Sequence, residues 1–217
     1  KMIDCFGDRV KYWLTFNEQN IFHMPEAFRI SGYMHGEKTL RELYELQHHT
    51  MVAHMALTEY LHQTRPGQLM GGMLAHQLIY PATCKPRDIF CAQQYDEFLN
   101  QNLLRVFAGQ GYSPAVMAVV EQEGFGDIYR AEDLALLART KNDYMAFSYY
   151  ASKTLDSDAI PEGTPVNYYL LHGEKNNPYL KATEWNWQID PLGFRTIITR
   201  YANDWRMPVF PIENGIG

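Results

Sequence analysis

Two glutamates, Glu18 and Glu213, stand almost the whole chain apart yet in the same local setting. Each closes an apolar run and each lies beside an asparagine, in "LTFNE" and "FPIEN". An ionised carboxylate next to an apolar strand is costly unless it is paired or hydrogen-bonded. Taken singly, each glutamate reads as a polar strand terminus. As a pair facing one cleft, they suit the hydrolysis of a glycosidic bond. There one carboxyl stays protonated to donate to the leaving oxygen, while the other stays ionised to attack the anomeric carbon or to activate water. A carboxyl separation of about 5 Å gives retention of configuration and a wider gap gives inversion.

The segments that would hold such a pair are short apolar runs separated by long helical stretches. Val10 to Phe16, Leu69 to His76, Tyr144 to Tyr150 and Met207 to Asn214 read as strands. Between the first two, residues 39 to 63 carry apolar side chains at helical spacing. Leu43, Leu46, Ala53, Leu57 and Leu61 fall on one stripe, with Leu40, Tyr44, Met51 and Met55 on the stripe beside it. Pro66-Gly67 stops that helix. Residues 88 to 109 and 191 to 205 read as further helices, with Pro191 near the start of the second. Near-continuous apolar strands joined by helical crossovers indicate a parallel sheet covered by helices. A dinucleotide-binding sheet and a (β/α)8 barrel both satisfy that description. No G-x-G-x-x-G follows any of the strands, which weakens the first. A barrel places its functional groups at the C-terminal ends of its strands, where Glu18 and Glu213 sit. Four units are counted where a barrel needs eight, so the fold class expected is α/β, about half of a TIM barrel in a single domain spanning residues 1–217. The start at Lys1 and the stop at "ENGIG" suggest a piece of a longer protein.

The bulk properties exclude several classes. With 46% hydrophobic residues the chain of 217 can bury a substantial core. A net charge of −6 without a Lys/Arg run argues against nucleic acid. Cys5, Cys84 and Cys91 lack metal-ligand spacing and read as free thiols in a reducing compartment. No run is long and apolar enough to span a membrane. His48, His49 and His54 lie on the long helix without a third ligand, and read as surface or core residues. His76, at the end of the second strand, reads equally as a cleft residue or a loop residue.

Around the two glutamates the chain resembles glycoside hydrolase family 1, the β-glucosidase family, over essentially its whole length. "LTFNEQN" and "PIENG" are similar to that family's two active-site signatures. The resemblance implies the fourth to seventh strands of the barrel, with Glu18 as acid/base and Glu213 as nucleophile. It implies that Asn17 hydrogen-bonds the sugar 2-hydroxyl and that Tyr150, in "FSYYAS", donates to the nucleophile. Ser148 stands where the family typically has Asn. Strand alternation puts Ser148 and Tyr150 on one face, with Phe147 and Tyr149 on the other. "ATEWNWQIDPLGF" resembles the family's Trp-Glu-x-x-Pro-x-Gly segment, with Gln188 for the Glu and Trp187 as an aromatic wall near the aglycone. Without the resemblance, Trp185 and Trp187 read as packing residues.

Gln19 in place of Pro, "SYYAS" and "TEWNWQIDPLGF" are similar to the bacterial 6-phospho-β-glucosidases. The implied activity is retaining hydrolysis of 6-phospho-β-glucosides by double displacement, in the cytoplasm and without metal or organic cofactor. The implied partner is a small-molecule glycoside or its phosphate, with no nucleic acid and no membrane; a homo-oligomer stays open. A non-phosphorylated β-glucosidase is the alternative substrate reading. A sugar-binding barrel that had lost catalysis is the non-enzymatic one, and it would be expected to lack one of the two carboxylates. The family's phosphate-recognising Ser, Lys and Tyr lie after the nucleophile strand, beyond Gly217.

Overall fold

A computed structural model describes residues 1–33 and 35–215; Met34, Ile216 and Gly217 lie outside the described residues. In chain order the regular elements are α1 (Met2–Phe6), β1 (Tyr12–Leu14), α2 (Leu40–Thr64), β2 (Leu69–Ala75), β3 (Ile79–Pro81), α3 (Pro86–Asp96), α4 (Asn102–Phe107), α5 (Pro114–Gln122), α6 (Ala131–Arg139), β4 (Tyr144–Tyr149), β5 (Lys153–Leu155), α7 (Tyr169–Gly173), α8 (Pro191–Arg200) and β6 (Val209–Asn214). β1, β2, β4 and β6 form one parallel sheet in that order, and β3 pairs with β5 in a second, two-stranded parallel sheet. All four strands expected from the apolar runs are present. β3 and β5 are not among them, because three residues are too few to carry a periodic signal.

Strand alternation divides the four-stranded sheet into two faces. Leu74, Met145 and Phe147 point to the helical layer and share a core with Met51 and Met55 of α2, Leu103 and Phe107 of α4, and Ile197 of α8. Gly72 allows that layer to approach closely, since a Cβ there would come within 2.4 Å of the Phe107 ring. On the opposite face Met73, Tyr144 and Ala146 pack together with Ile212. The Tyr144 hydroxyl donates to the carbonyl of Trp13 at 2.8 Å, tying the face of β4 to β1 across β2.

α2 starts on a capping box. The Thr39 hydroxyl accepts from the Glu42 amide at 3.2 Å, and the Glu42 carboxylate accepts from the Thr39 amide at 2.8 Å. Its buried face runs through Tyr44, His48, Met51, Met55 and Thr58. Leu43 and Leu61, from the stripe that also holds Leu57, are buried with them, but Leu57 lies at the edge of that face. At 100° per residue Leu57 lies roughly a third of a turn from Met51, and it is 40% exposed. Two buried histidines complete the packing. His54 bonds Thr15 Oγ1 at 2.7 Å and Asn142 Oδ1 at 3.0 Å, linking the loops that follow β1 and precede β4. His23 bonds Gln47 Oε1 at 2.8 Å.

Two helices contain a wider π turn, at Glu97–Gln101 and Tyr201–Trp205. Both serve the segment joining β2 to β3. Asn100 donates to the Gln77 carbonyl at 2.9 Å, and the Tyr201 hydroxyl lies 3.0 Å from His76 Nδ1. A π turn shifts the helix phase by one residue, and such turns are frequent at functional sites.

Burial without a charged partner pushes the His23 and His54 imidazoles down to about 4. Unfolding frees them to take up protons near pH 6.5, so the unfolded chain binds more protons between about pH 6.5 and 4. Stability should therefore fall as pH falls through that window, by up to about 1.4 kcal/mol per pH unit for each histidine. Urea unfolding of a protein carrying this chain at pH 7 and pH 5 measures this. Two such proteins differing only by His54→Gln should show a smaller pH dependence in the variant.

Candidate active site

β1 ends at Leu14, and the chain then turns sharply so that Glu18 adopts a left-handed backbone, φ 46° and ψ 52°. A non-glycine residue held there is strained, and such strain clusters at functional positions. The Glu18 amide is directed at Met73 Sδ, 2.9 Å away. The next residues fix the turn from beneath. Asn20 accepts from the Ala75 amide and donates to the Ala75 carbonyl, both at 2.8 Å, as though it were one more strand residue beside β2.

Ala75 is small, and it sits on the cleft-facing side of β2 directly opposite Ser148 of β4. Glu18 reaches past this position, and Ser148 Oγ donates to Glu18 Oε1 at 2.5 Å. Glu213 arrives from the far side of β4. β4 and β6 pair in parallel as far as Phe147 with Pro211, and Ser148 is then opposite Glu213 rather than Ile212. One extra residue in β6 thus re-aims Glu213 onto the same face as Ser148, as a β-bulge does next to many active sites. The Tyr150 hydroxyl donates to Glu213 Oε2 at 2.8 Å. Asn214 donates to the Tyr149 carbonyl at 2.7 Å, holding β6 against β4 beyond the bulge.

Electrostatics separate the two carboxyls. Partial burial raises the Glu18 carboxyl above its ordinary range; the Ser148 hydrogen bond opposes that rise, and the Glu213 charge adds to it. The hydrogen bond to Glu213 holds the Tyr150 phenol above its ordinary range, so it remains a donor. Glu18, Ser148, Tyr150, Ile21, His76, Lys153 and Trp187 line one cleft of about 240 Å³. The Trp187 ring packs on Tyr150 with centroids 5.3 Å apart. Lys153 is occupied by Glu174 at 2.6 Å. His76 lines the cleft with its ring almost entirely buried, and burial holds it neutral, pushed down to about 3.

Of the residues singled out in the sequence, Glu18, Glu213, Tyr150 and Trp187 converge here, and Asn17 lies exposed immediately before the strained Glu18. Ser148 and Tyr150 do share a face, with Phe147 and Tyr149 in the helical core. Gln19 behaves differently. It is fully buried beneath the turn, and its amide has no protein partner among the described residues. It distinguishes the sequence without touching the cleft. Among the described residues no group of three or more His, Cys, Asp or Glu is placed to hold a metal ion, and no helix is long and apolar enough to cross a membrane.

Sequence reasoning missed the network behind Trp187. Asp190 is buried; it caps α8 by accepting from the Gly193 amide at 2.8 Å. Its other oxygen accepts from Ser152 at 2.7 Å and from the Tyr80 hydroxyl at 2.9 Å, while Tyr149 donates to its carbonyl at 3.0 Å. These bonds pin the segment carrying Trp187 to the ends of β3 and β4. Asp immediately before Pro191 was the available signal, as an N-cap followed by Pro at the first helical position.

A parallel sheet backed by helices, with Glu18 just after β1 and Glu213 near the end of β6, matches the C-terminal face at which (β/α)8 barrels carry their functional groups. The model of "Glycosyl hydrolase family 1" matches residues 1–217, and the chain belongs to that family. It is 36% identical over 217 residues to "Aryl-phospho-beta-D-glucosidase BglH" of Bacillus subtilis, covering 98% of this chain and 45% of the relative. It is 33% identical to "6-phospho-beta-glucosidase AscB" of Escherichia coli, covering 99% of this chain and 44% of the relative. A family 1 β-glucosidase from Exiguobacterium antarcticum B7 superposes with a TM-score of 0.82 at 20% identity, over 99% of this chain and 46% of that one. The chain spans about half the length of the curated relatives it matches, and it is about half of a (β/α)8 barrel.

Replacing Asp190 with Ala removes the α8 cap and leaves the Ser152 and Tyr80 hydroxyls without their acceptor. The expected cost is roughly 2–4 kcal/mol from the cap and the orphaned donors together. Chemical denaturation gives that figure. A shift in tryptophan emission under native conditions would register release of the Trp187 segment.

Proposed function

We propose that a protein carrying this chain hydrolyses β-glucosides with retention of configuration, acting on 6-phospho-β-glucosides. The observation that carries this reading is the convergence of Glu18 and Glu213 about Ser148, which bonds the first and faces the second in the strand ladder. Glu213, oriented by the Tyr150 hydroxyl, attacks the anomeric carbon. Glu18, whose neutral form is favoured by its partly buried setting, delivers its proton to the departing oxygen. The glycosyl–enzyme ester is then cleaved by water, from which Glu18, now ionised, withdraws a proton. Asn17 hydrogen-bonds the sugar 2-hydroxyl, and Trp187 forms an apolar wall on the aglycone side. The chain constitutes one catalytic domain segment, and no step requires a metal or organic cofactor.

The preference for a phosphorylated sugar rests on likeness to relatives named as phospho-β-glucosidases at 31–36% identity. The lysine that lines the cleft described above, Lys153, is engaged by Glu174. Exposed apolar residues on the sheet's two outer strands, Tyr12 and Leu14 on β1 and Phe210 on β6, fit staves packed against this half-barrel. The 217-residue chain by itself is therefore expected to show no glucosidase turnover.

The decisive measurement uses the full-length protein and an aryl 6-phospho-β-glucoside. Glu213→Ala should lower kcat by at least about 10⁴-fold, about 5 kcal/mol of transition-state stabilisation, with thermal unfolding still cooperative. Near-normal turnover by that variant would sink the reading. A kcat/KM for the phosphorylated aryl glucoside no greater than for its unphosphorylated counterpart would replace it with a plain β-glucosidase.

A further inference from the structure

Among the described residues Ser148 is the one hydroxyl that hydrogen-bonds Glu18, and the double-displacement scheme above leaves it without a task. It is 1% exposed, on the cleft-facing side of β4, opposite Ala75 on one neighbour and Glu213 on the other. Its Oγ lies 2.5 Å from Glu18 Oε1 and 3.4 Å from the Leu74 carbonyl. A hydroxyl has one proton to donate, and the shorter contact takes it. Among the described residues Glu18 Oε2 has no hydrogen-bond partner. The two oxygens of the carboxyl are therefore unequal, and the inequality is built into the β4 backbone.

Resting on the reading of Glu18 as acid/base, we propose that Ser148 is a positioning residue. Its hydroxyl occupies Oε1, so that the transferable proton resides on Oε2, and it supports the ionised carboxylate after the proton has gone. Each turnover needs both states. In the first step Ser148 donates to the carbonyl-like oxygen of a neutral carboxyl, and the O–H of Oε2 is left for the glycosidic oxygen. In the second step the same donor stabilises the carboxylate while it withdraws a proton from water. A hydrogen bond to a charged acceptor is roughly twice as strong as one between neutral groups, so Ser148 favours the ionised state over the neutral one. It acts against the burial and the Glu213 charge that favour the neutral form.

Among the described residues, four other titratable groups lie near this carboxyl. Glu213 comes from β6 and Tyr150 from the end of β4. Lys153 of β5 is tied to Glu174, and His76 at the end of β2 stays neutral over the working range of pH. Neither engaged group competes with Ser148 for the acid/base.

The test is the pH profile of kcat/KM for an aryl 6-phospho-β-glucoside whose poor leaving group requires protonation, measured on the full-length protein. Ser148→Ala should move the alkaline limb, which reports loss of the acid's proton, upward by about one pH unit. Ser148→Asn keeps an N–H donor at this position and should return the limb toward its original place. In parallel, Glu18→Ala should lose at least about 100-fold on the poor leaving group and far less on a dinitrophenyl one, because general acid catalysis contributes about 10²–10⁴-fold. An unmoved limb in Ser148→Ala, together with that leaving-group dependence in Glu18→Ala, would overturn the role of Ser148 and leave Glu18 as acid/base. Equal losses on both leaving groups in Glu18→Ala would overturn the acid/base reading and the Ser148 inference with it. Should Ser148→Ala fail to fold, Ser148→Cys carries the same test. Its weaker S–H donor should give an intermediate upward shift, and no shift counts against the proposal.

Discussion

β6 takes in one extra residue beside β4, and the geometry of the site depends on that single irregularity. Side chains of a strand alternate between faces with a period of two. In uninterrupted register Ser148 would stand opposite Ile212, and Glu213 would point with Tyr149 into the helical core. An ionised carboxylate cannot be accommodated there without a partner. The bulge instead places Glu213 opposite Ser148 and within reach of Tyr150, while Asn214 ties the two strands together beyond it. From the other side the strained, left-handed Glu18 bends the chain so that its carboxyl crosses the end of β2. Both deviations from regular backbone act on the space in front of Ser148, from opposite edges of β4.

That arrangement is held in place by the layers packed around it. Gly72 lets the helical layer close onto β2, and Ala75 keeps the path between Glu18 and Ser148 open. The π turns near Asn100 and Tyr201 direct polar groups at the segment joining β2 to β3, so His76 and Gln77 are held from behind. The buried Asp190 network does the same for the segment bearing Trp187. The supports at His76, Gln77 and Asp190 are hydrogen bonds in buried or part-buried settings, where an unmade bond costs more than a made one contributes.

Much of this was legible in the residues, and the parts that were not share a cause. The four strands and α2 were visible because long apolar runs and a 3.6-residue period record burial directly. Leu57 shares a stripe with Leu43 and Leu61, which are fully buried, yet is itself exposed, since helical spacing identifies a stripe but not where its edge meets solvent. β3 and β5 escaped because three residues show no period. Gln19 marked a likeness to phospho-β-glucosidases, and its side chain proves to be buried beneath the turn, away from the cleft. A residue can distinguish a group of sequences through packing alone.

The amino-acid order was enough to mark two glutamates, each at the end of an apolar strand beside an asparagine, and with them the likeness to the family from which the proposed chemistry follows. Those features are local, written in neighbouring residues. Which side chain meets which carboxyl is not local. Ser148 reaches Glu18, and Tyr150 reaches Glu213, because strands far apart in the chain lie side by side in a particular register with one residue inserted. Register is chosen by the packing of the whole sheet against its helices, and a shift of one residue would turn every side chain to the opposite face. The pairing of donors with carboxyls therefore belongs to the folded barrel.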